Sequence, residues 1–277
     1  MTRISADLMP AKGLIARSFG AAAYSYDGVA SLQRTAGQLL LDQLSQGCGS
    51  AGVGRILDVG AGTGFITAAL AGSHPAAQVL ALDLSEGMLR VARDRFSGAC
   101  IAGDAEALPL SDHSIDVVFS NMAIQWCPSV EDVFREFGRV LRPGGRLLFT
   151  TLGPATLGEL RAAWASVDDH THVNEFTSTD EIDRALTRAG FQNRSVKTDI
   201  SQLEYADVMS LMRGLKQLGA HNLTPGRARH LTGKGMLRRV MDAYPGQRLG
   251  RPVLASFEVV TGMARMEGER GTDNQAG

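Results

Sequence analysis

Cysteine is scarce in this chain: three residues in 277, at positions 48, 100 and 127, odd in number and in no metal-ligand spacing. That excludes a disulfide framework and a cysteine-ligated zinc site, and it reads as a reduced, cytoplasmic protein. The six histidines are scattered, so no metal site is expected. No apolar run approaches the ~20 residues of a membrane-spanning helix, and no signal peptide precedes Leu8, so no membrane association is expected. The net charge of −1 provides no overall field that would attract nucleic acid. Internal repeats are also missing, as is any Ser-His-Asp or Cys-His pattern.

Charge is nevertheless uneven. Residues 205–251 hold nine Lys/Arg against two acids, Asp207 and Asp242, a local excess of +7 that leaves −8 for the rest. An excess of this kind points to a partner.

What is present begins with Arg55-Ile-Leu-Asp-Val-Gly-Ala-Gly-Thr-Gly-Phe65, a short apolar strand entering a turn with glycines at 60, 62 and 64. Glycine permits positive φ and lets a ligand approach bare backbone. Dinucleotide folds space their glycines Gly-x-Gly-x-x-Gly around a pyrophosphate. Here the third glycine comes one residue early, and Asp58 stands where a pyrophosphate would be repelled. An acid there suits a cationic ligand, such as the amino group of S-adenosylmethionine.

Strand and helix patterns alternate from there, implying a parallel sheet with helices on both faces. Strands are expected at Arg55–Val59, Gln78–Asp83, Ala99–Ala102, Ile115–Ser120, Arg146–Leu152, Arg194–Leu203 and Val253–Met263. Helices are expected at Gly64–Ala71, Glu86–Phe96, Glu131–Leu141 and Thr179–Ala189, with Arg142-Pro-Gly-Gly145 as a helix terminator and turn. Residues 1–50 form a helical cap, 51–204 the cofactor-binding core, 205–251 a basic helical lid and 252–265 the last core strand. The polar tail, 266–277, is expected to be disordered.

Asp83 ends the second strand, where an acid can accept from both ribose hydroxyls of a nucleoside. It also fits a capping role with Ser85 and Glu86. Leu84 follows it. Asp104, with Ala105, stands after the third strand and could accept from an adenine amino group or merely form the turn. Three strand-end features on successive β-α units converge where ligands of parallel sheets bind.

From Arg55 to Thr151 the chain resembles the class I S-adenosylmethionine-dependent methyltransferases, including Phe119-Ser-Asn121 and Arg139-Val-Leu-Arg-Pro-Gly-Gly145. The resemblance implies a Rossmann-like, seven-stranded, mostly parallel sheet, with S-adenosylmethionine as methyl donor and S-adenosylhomocysteine as product. It assigns cofactor contacts to Asp58, Gly60, Gly62, Gly64, Asp83, Leu84, Asp104, Ala105 and Asn121. Phe65 departs slightly from the pattern and is expected to lie outside the binding contacts.

Further elements narrow the family. They are Phe19-Gly-Ala-Ala-Ala-Tyr24 with Tyr26, Gln125-Trp-Cys127, Thr150-Thr-Leu152, Ala163-Trp-Ala-Ser-Val-Asp168, His172-Val-Asn-Glu-Phe176 and Leu215-Lys-x-x-Gly-Ala220. Together they resemble the malonyl-acyl-carrier-protein O-methyltransferases of biotin synthesis over residues 14–265. That resemblance implies methyl transfer to the free carboxylate of a malonyl thioester on an acyl carrier protein. A carboxylate is ionised at neutral pH and needs no general base, which agrees with the missing nucleophile patterns.

Gln125, Trp126, Tyr24 and Tyr26 are the candidate catalytic contacts; Trp126 could face a cation or only pack. Arg213 and Lys216, three apart on one helical face, are the candidate clamp for the acceptor carboxylate, unless that face is merely solvated. Phe19, Thr151 and His172 are further acceptor-side candidates, His172 fitting a structural role better than a catalytic one. Arg227, Arg229, Arg238 and Arg239 would dock an acidic carrier protein. Rival readings are another small-molecule methyltransferase (acting on a quinone carbon or a free dicarboxylic acid) and a non-catalytic S-adenosylmethionine-binding protein. A nucleic-acid methyltransferase is disfavoured because Met122, Ala123 and Ile124 follow Asn121.

Overall fold

A computed structural model describes residues 11–47, 53–220, 233–247 and 250–268. Two helices come first, α1 (Lys12–Val29) and α2 (Ser31–Gly47), followed by β1 (Arg55–Val59), α3 (Phe65–Ser73), β2 (Gln78–Asp83) and α4 (Glu86–Ala92). Next stand β3 (Ala99–Ala102), β4 (Ile115–Asn121), a 3-10 turn (Ile124–Trp126), α5 (Val130–Val140), β5 (Leu141–Leu152) and α6 (Gly158–Ala165). The chain ends with α7 (Thr179–Arg188), β6 (Phe191–Tyr205), α8 (Val208–Gln217), α9 (Lys234–Ala243) and β7 (Val253–Met266).

The seven strands form one sheet in the order β3-β2-β1-β4-β5-β7-β6. Pairings from β3 to β5 are parallel, and β7 runs antiparallel between β5 and β6. Strands covered on both faces read as continuous apolar runs, and β1 shows this, with Ile56 to Val59 all buried. One face packs α5 and α7 through Phe134, Phe137, Ile182 and Leu186. The other packs α2 and α3 through Leu40, Leu44, Ile66 and Leu70. The chain order reverses at β1 and β4, so the carboxyl ends of these strands open a crevice.

Caps explain several boundaries. Ser85 caps α4 and Asp207 caps α8, while Ser178 and Glu181 form a reciprocal capping box on α7. Some expected boundaries move. α4 stops at Ala92 rather than Phe96, and α5 stops at Val140, after which Arg142–Gly145 runs on as the start of β5. Gly144, at φ 75°, takes the bend. The sequence reading has no helix at α6, which follows Gly153-Pro154, begins at Gly158 and is entered from Leu157 in a left-handed conformation (φ 55°). The strand expected to end before 266 includes Met266; residues 269–277 of the expected tail lie outside the described residues.

Helices α8 and α9, between β6 and β7 in sequence, share an apolar cluster with α6 and β7 through Val208, Leu211, Val240, Trp164 and Phe257.

Candidate functional site

The glycine turn connects β1 to α3, and its three glycines have φ values of 76°, 57° and 77°. Each is required for a different reason. A Cβ on Gly60 would lie 2.2 Å from the Ala123 side chain, and one on Gly64 would lie 2.9 Å from that of Ala92. A Cβ on Gly62 would meet no atom within 4 Å, because that residue borders the crevice. Gly60 and Gly62 line cavities; Gly64 acts as the N-cap of α3, so its part is to turn the chain rather than to touch a ligand.

Asp58 is buried at 2% exposure and accepts from Thr67 Oγ1 at 2.6 Å. Burial pushes its pKa up to about 7, with the Thr67 hydrogen bond opposing and the charge of Asp83 adding to the rise. A buried carboxyl group with no ion-pair partner among the described residues is suited to receiving a cation. Asp83 is raised by burial, against hydrogen bonds from the Ser85 and Gly62 amides at 2.7 and 2.9 Å. Those two bonds leave further lone pairs on the carboxylate to accept hydroxyl donors.

Asp83, Leu84, Asp104, Ala105 and Asn121 line one cavity with Gly60 and Gly62. The loop carrying Asp104 is pinned from α5. Arg139 donates to the Leu108 and Leu110 carbonyls at 2.9 and 2.8 Å, and Glu136 accepts from the Leu108 amide at 2.8 Å.

The N-terminal helix closes over this cavity. Lys12, Ile15, Phe19 and Tyr26 of α1 line it, and Lys12 pairs with both Asp104 and Glu106. Burial alone would lower the Lys12 ammonium, but its hydrogen bonds to these acids carry it above its ordinary value. α1 crosses α4 with Gly20 against Gly87; a Cβ on Gly87 would lie 2.7 Å from the Gly20 Cα. At its far end, Asp27 accepts from Thr63 Oγ1 at 2.7 Å and pairs with Arg95 at 2.5 Å.

A second, larger cavity (≈ 210 Å³ against ≈ 110 Å³) meets the first at Phe19, Tyr26, Met122 and Trp126. Phe19 sits edge-on to Trp126, ring centroids 5.2 Å apart, and the Tyr26 hydroxyl is driven up in pKa by burial and by Asp83 and Asp27. Met122 holds a left-handed φ of 52°, fixed by its amide donating to the Thr150 carbonyl at 3.0 Å and to Thr150 Oγ1 at 3.1 Å. Backbone strain of this kind persists only where the surroundings impose it.

Apolar side chains dominate the second cavity. Among the described residues, His172 is its only Asp, Glu, His, Lys or Arg side chain. His172 stacks on Trp164 at 3.6 Å and 10°, and its Nε2 lies 2.8 Å from Asp168 Oδ1. Burial works to raise the Asp168 carboxyl, but the His170 amide and His172 hold it below its ordinary value.

Several candidates stand elsewhere than the sequence implied. Tyr24 is 83% exposed, because two residues along a helix turn a side chain by roughly 200°, and Tyr26 takes the inward face. Arg213 and Lys216 do share a helical face, but it is the exposed one; α8 turns Met212 and Leu215 into the cavity instead. Thr151 is 3% exposed and reaches the site only through Gln125, whose Oε1 it donates to at 3.1 Å. Gln125 Nε2 donates to the Met122 carbonyl at 2.7 Å, so that amide is fixed at both ends. Phe65, assigned no contact, lines a third cavity next to Asp58 and lies beneath the Arg34 guanidinium. Arg238 and Arg239 are exposed on α9, whereas Arg227 and Arg229 lie outside the described residues.

The sequence reading missed Lys12 and Arg34, and it held Trp164 and Asp168 only as part of the Ala163–Asp168 element, with no site role. The i, i+4 spacing of Asp168 and His172 was the only local signal available for any of them.

The methyltransferase domain family matches residues 57–149. Among solved structures, the YcgJ protein of Bacillus subtilis superposes with a TM-score of 0.60 at 18% identity, covering 83% of this chain and 99% of its own. A putative methyltransferase of Bacillus halodurans gives 0.59 at 19%, over 82% and 98%. These likenesses establish the fold. Relatives in sequence go further. The malonyl-[acyl-carrier protein] O-methyltransferase of Methylococcus capsulatus is 47% identical over 92% of this chain and 94% of its own, and that of Methylovorus is 42% identical over 91% and 88%. The bifunctional biotin-synthesis protein BioHC of Cellvibrio japonicus is 43% identical over 90% of this chain but only 49% of its own length. With this degree of identity across nearly the whole chain, the protein belongs to the malonyl-[acyl-carrier protein] O-methyltransferase family of S-adenosylmethionine-dependent enzymes.

Proposed function

We propose that the chain transfers a methyl group from S-adenosylmethionine to the free carboxylate of a malonyl thioester carried on an acyl carrier protein, as a step of biotin synthesis. The observation that carries this reading is the meeting of two cavities at Phe19, Tyr26, Met122 and Trp126, one lined by acids and glycines and the other by apolar side chains around His172.

The donor's groups fit the first cavity. Asp58 is a buried acid without an ion-pair partner among the described residues, Asp83 has spare acceptor capacity, and Gly62 leaves open space where a side chain would stand. When bound, the donor supplies an electrophilic methyl group on a sulfonium. The protein's own part is to orient and to keep the site dry. Asp83 and Asp104 would hold the nucleoside and Asp58 the ammonium. Phe19, Tyr26 and Trp126 form an aromatic wall that excludes water where the cavities join.

On the acceptor side, Arg213 and Lys216 face solvent, so the anion must be met by another group. His172 takes that place. Its Nε2 faces Asp168, which leaves Nδ1 for the acceptor, while stacking on Trp164 fixes the ring plane. Neutral donors from Gln125 and Tyr26 stand closer to the junction. The exposed Arg238 and Arg239 of α9 supply positive charge for docking an acidic carrier protein.

Incubating the purified protein with labelled S-adenosylmethionine and either malonyl- or acetyl-carrier protein tests the reading. Label should enter only the malonyl form, as a base-labile ester. Labelling of the acetyl form, or a base-stable product, would overturn carboxyl methylation.

A further inference from the structure

Thr150 and Thr151 are neighbours near the end of β5, and the hydroxyl of each reaches the segment that follows β4. Thr150 lies level with Asn121 in the sheet, and its Oγ1 donates to Asn121 Oδ1 at 2.7 Å. Thr151 Oγ1 donates to Gln125 Oε1 at 3.1 Å. Between them, Met122 is held at both of its main-chain polar groups. Its amide donates to Thr150 Oγ1 at 3.1 Å, and its carbonyl accepts from Gln125 Nε2 at 2.7 Å. One hydrogen-bonded chain therefore runs Asn121–Thr150–Met122–Gln125–Thr151. It begins on a residue that lines the first cavity and passes through one that lines the second.

This chain decides which way the Gln125 amide points. A carbonyl can only accept, so the group facing Met122 must be the amide nitrogen. The Gln125 oxygen is then left to Thr151, whose hydroxyl supplies the donor. Reversing the amide would set two oxygens against each other at Met122. In the orientation observed, one hydrogen of Gln125 Nε2 is used on Met122, and the other has no partner among the described residues. That spare donor belongs to a side chain lining the cavity assigned to the acceptor, and a carboxylate there needs donors.

Thr151 itself is buried, at 3% exposure, and lines neither cavity, so any influence it has on the acceptor passes through Gln125. Valine would suit a buried strand position at least as well, so packing does not account for the hydroxyl.

Building on carboxyl methylation as the activity, we propose that Thr151 is a positioning residue for methyl transfer: it holds the Gln125 amide so that the spare N–H meets one oxygen of the acceptor carboxylate. Through Met122 and Thr150, the same network keeps that N–H in register with Asn121 across the cavity junction. The other carboxylate oxygen is left to attack. A fixed amide contributes orientation and moves no proton, which is what an already ionised nucleophile requires.

Methyl transfer to malonyl-carrier protein and calorimetric binding of S-adenosylhomocysteine are measured for the wild type, Thr151→Val, Thr151→Ser, Gln125→Leu and the Thr151→Val/Gln125→Leu double variant. Thr151→Val should lower kcat/KM about 10-fold, the scale of one hydrogen bond, with S-adenosylhomocysteine affinity kept within about 2-fold. Thr151→Ser keeps the hydroxyl and should recover kcat/KM to within about 3-fold of the wild type. In the Gln125→Leu background, Thr151→Val should change kcat/KM by less than about 2-fold, because the group through which it acts is gone. Unchanged kcat/KM in Thr151→Val, no recovery in Thr151→Ser, or losses that multiply in the double variant would each overturn the proposal. So would a parallel loss of S-adenosylhomocysteine binding, which would make the hydroxyl a prop for the fold. A wild type that binds S-adenosylhomocysteine but leaves malonyl-carrier protein unmethylated would instead overturn the carboxyl-methylation reading on which the proposal rests.

Discussion

Lys12, in the first turn of α1, pairs with Asp104, 92 residues further along the chain in the loop after β3. The pair, extended to Glu106, ties the N-terminal helix down over the cavity that Asp83 and Asp104 line. A ligand reaching Asp104 must pass or displace this contact, so α1 acts as the cover of the site.

Removing the tie should therefore change exchange rather than chemistry. Lys12→Met is expected to speed S-adenosylhomocysteine release about 3- to 10-fold while kcat falls less than 3-fold, a modest effect because both partners are partly exposed. Stopped-flow displacement, read through the fluorescence of Trp126 at the cavity wall, measures it.

Asp58 predicts a pH dependence of two opposite signs. Its folded pKa, raised to about 7, lies above its unfolded value, so the ligand-free protein is favoured below the unfolded pKa and loses that stability as pH rises through 7. Binding a cationic ammonium needs the ionised form, so affinity for S-adenosylhomocysteine should rise between pH 6 and 8. Asp58→Asn should flatten the affinity profile, weaken binding at pH 8 by about 10-fold or more and raise the ligand-free Tm at pH 8 by a few degrees. Calorimetry and thermal melts across that range check both signs.

His172 separates two roles. As the acceptor's anion partner, its replacement in His172→Gln should raise KM for a malonyl thioester about 10-fold or more, with kcat and S-adenosylhomocysteine affinity little changed. A collapse of kcat at constant KM would instead make the His172–Asp168 pair a general base, a chemistry that a carboxylate acceptor does not need. Arg213→Gln and Lys216→Gln should leave a small malonyl thioester unaffected, since both side chains face solvent.

Charge on α9 should matter only for the macromolecular substrate. Arg238→Glu with Arg239→Glu is expected to lower kcat/KM for malonyl-carrier protein about 10-fold at low salt and to spare small malonyl thioesters. Equal loss on both substrates would remove the docking role.

The nucleotide half of this protein is legible in its sequence because its signals are local. Gly60, Gly62 and Gly64 announce a turn that only glycine can make, and Asp83 and Asp104 fall at strand ends where the parallel topology places ligands. β1, β2 and β3 begin and end where their apolar runs do. The acceptor half is less legible. Tyr24 and Tyr26 are equal as letters, and only the packing of α1 against α4 turns one inward. Arg213 and Lys216 satisfy a helical spacing rule that says they share a face but not which way it looks. α6 was hidden by the Gly153-Pro154 and Gly158 breakers, and it starts from Leu157, a residue that carries no start signal.

By itself, then, the sequence determined the strand order along the chain, the glycine turn and the family, because short-range glycine, strand-end and identity signals survive without coordinates. Tertiary structure alone decided which charges come together. Arg34 and Asp58 are 24 positions apart, and Lys12 and Asp104 are 92 apart. No spacing rule relates such pairs. They meet because α1 and α2 fold back over the carboxyl ends of the sheet, and burial there makes an unmatched charge costly.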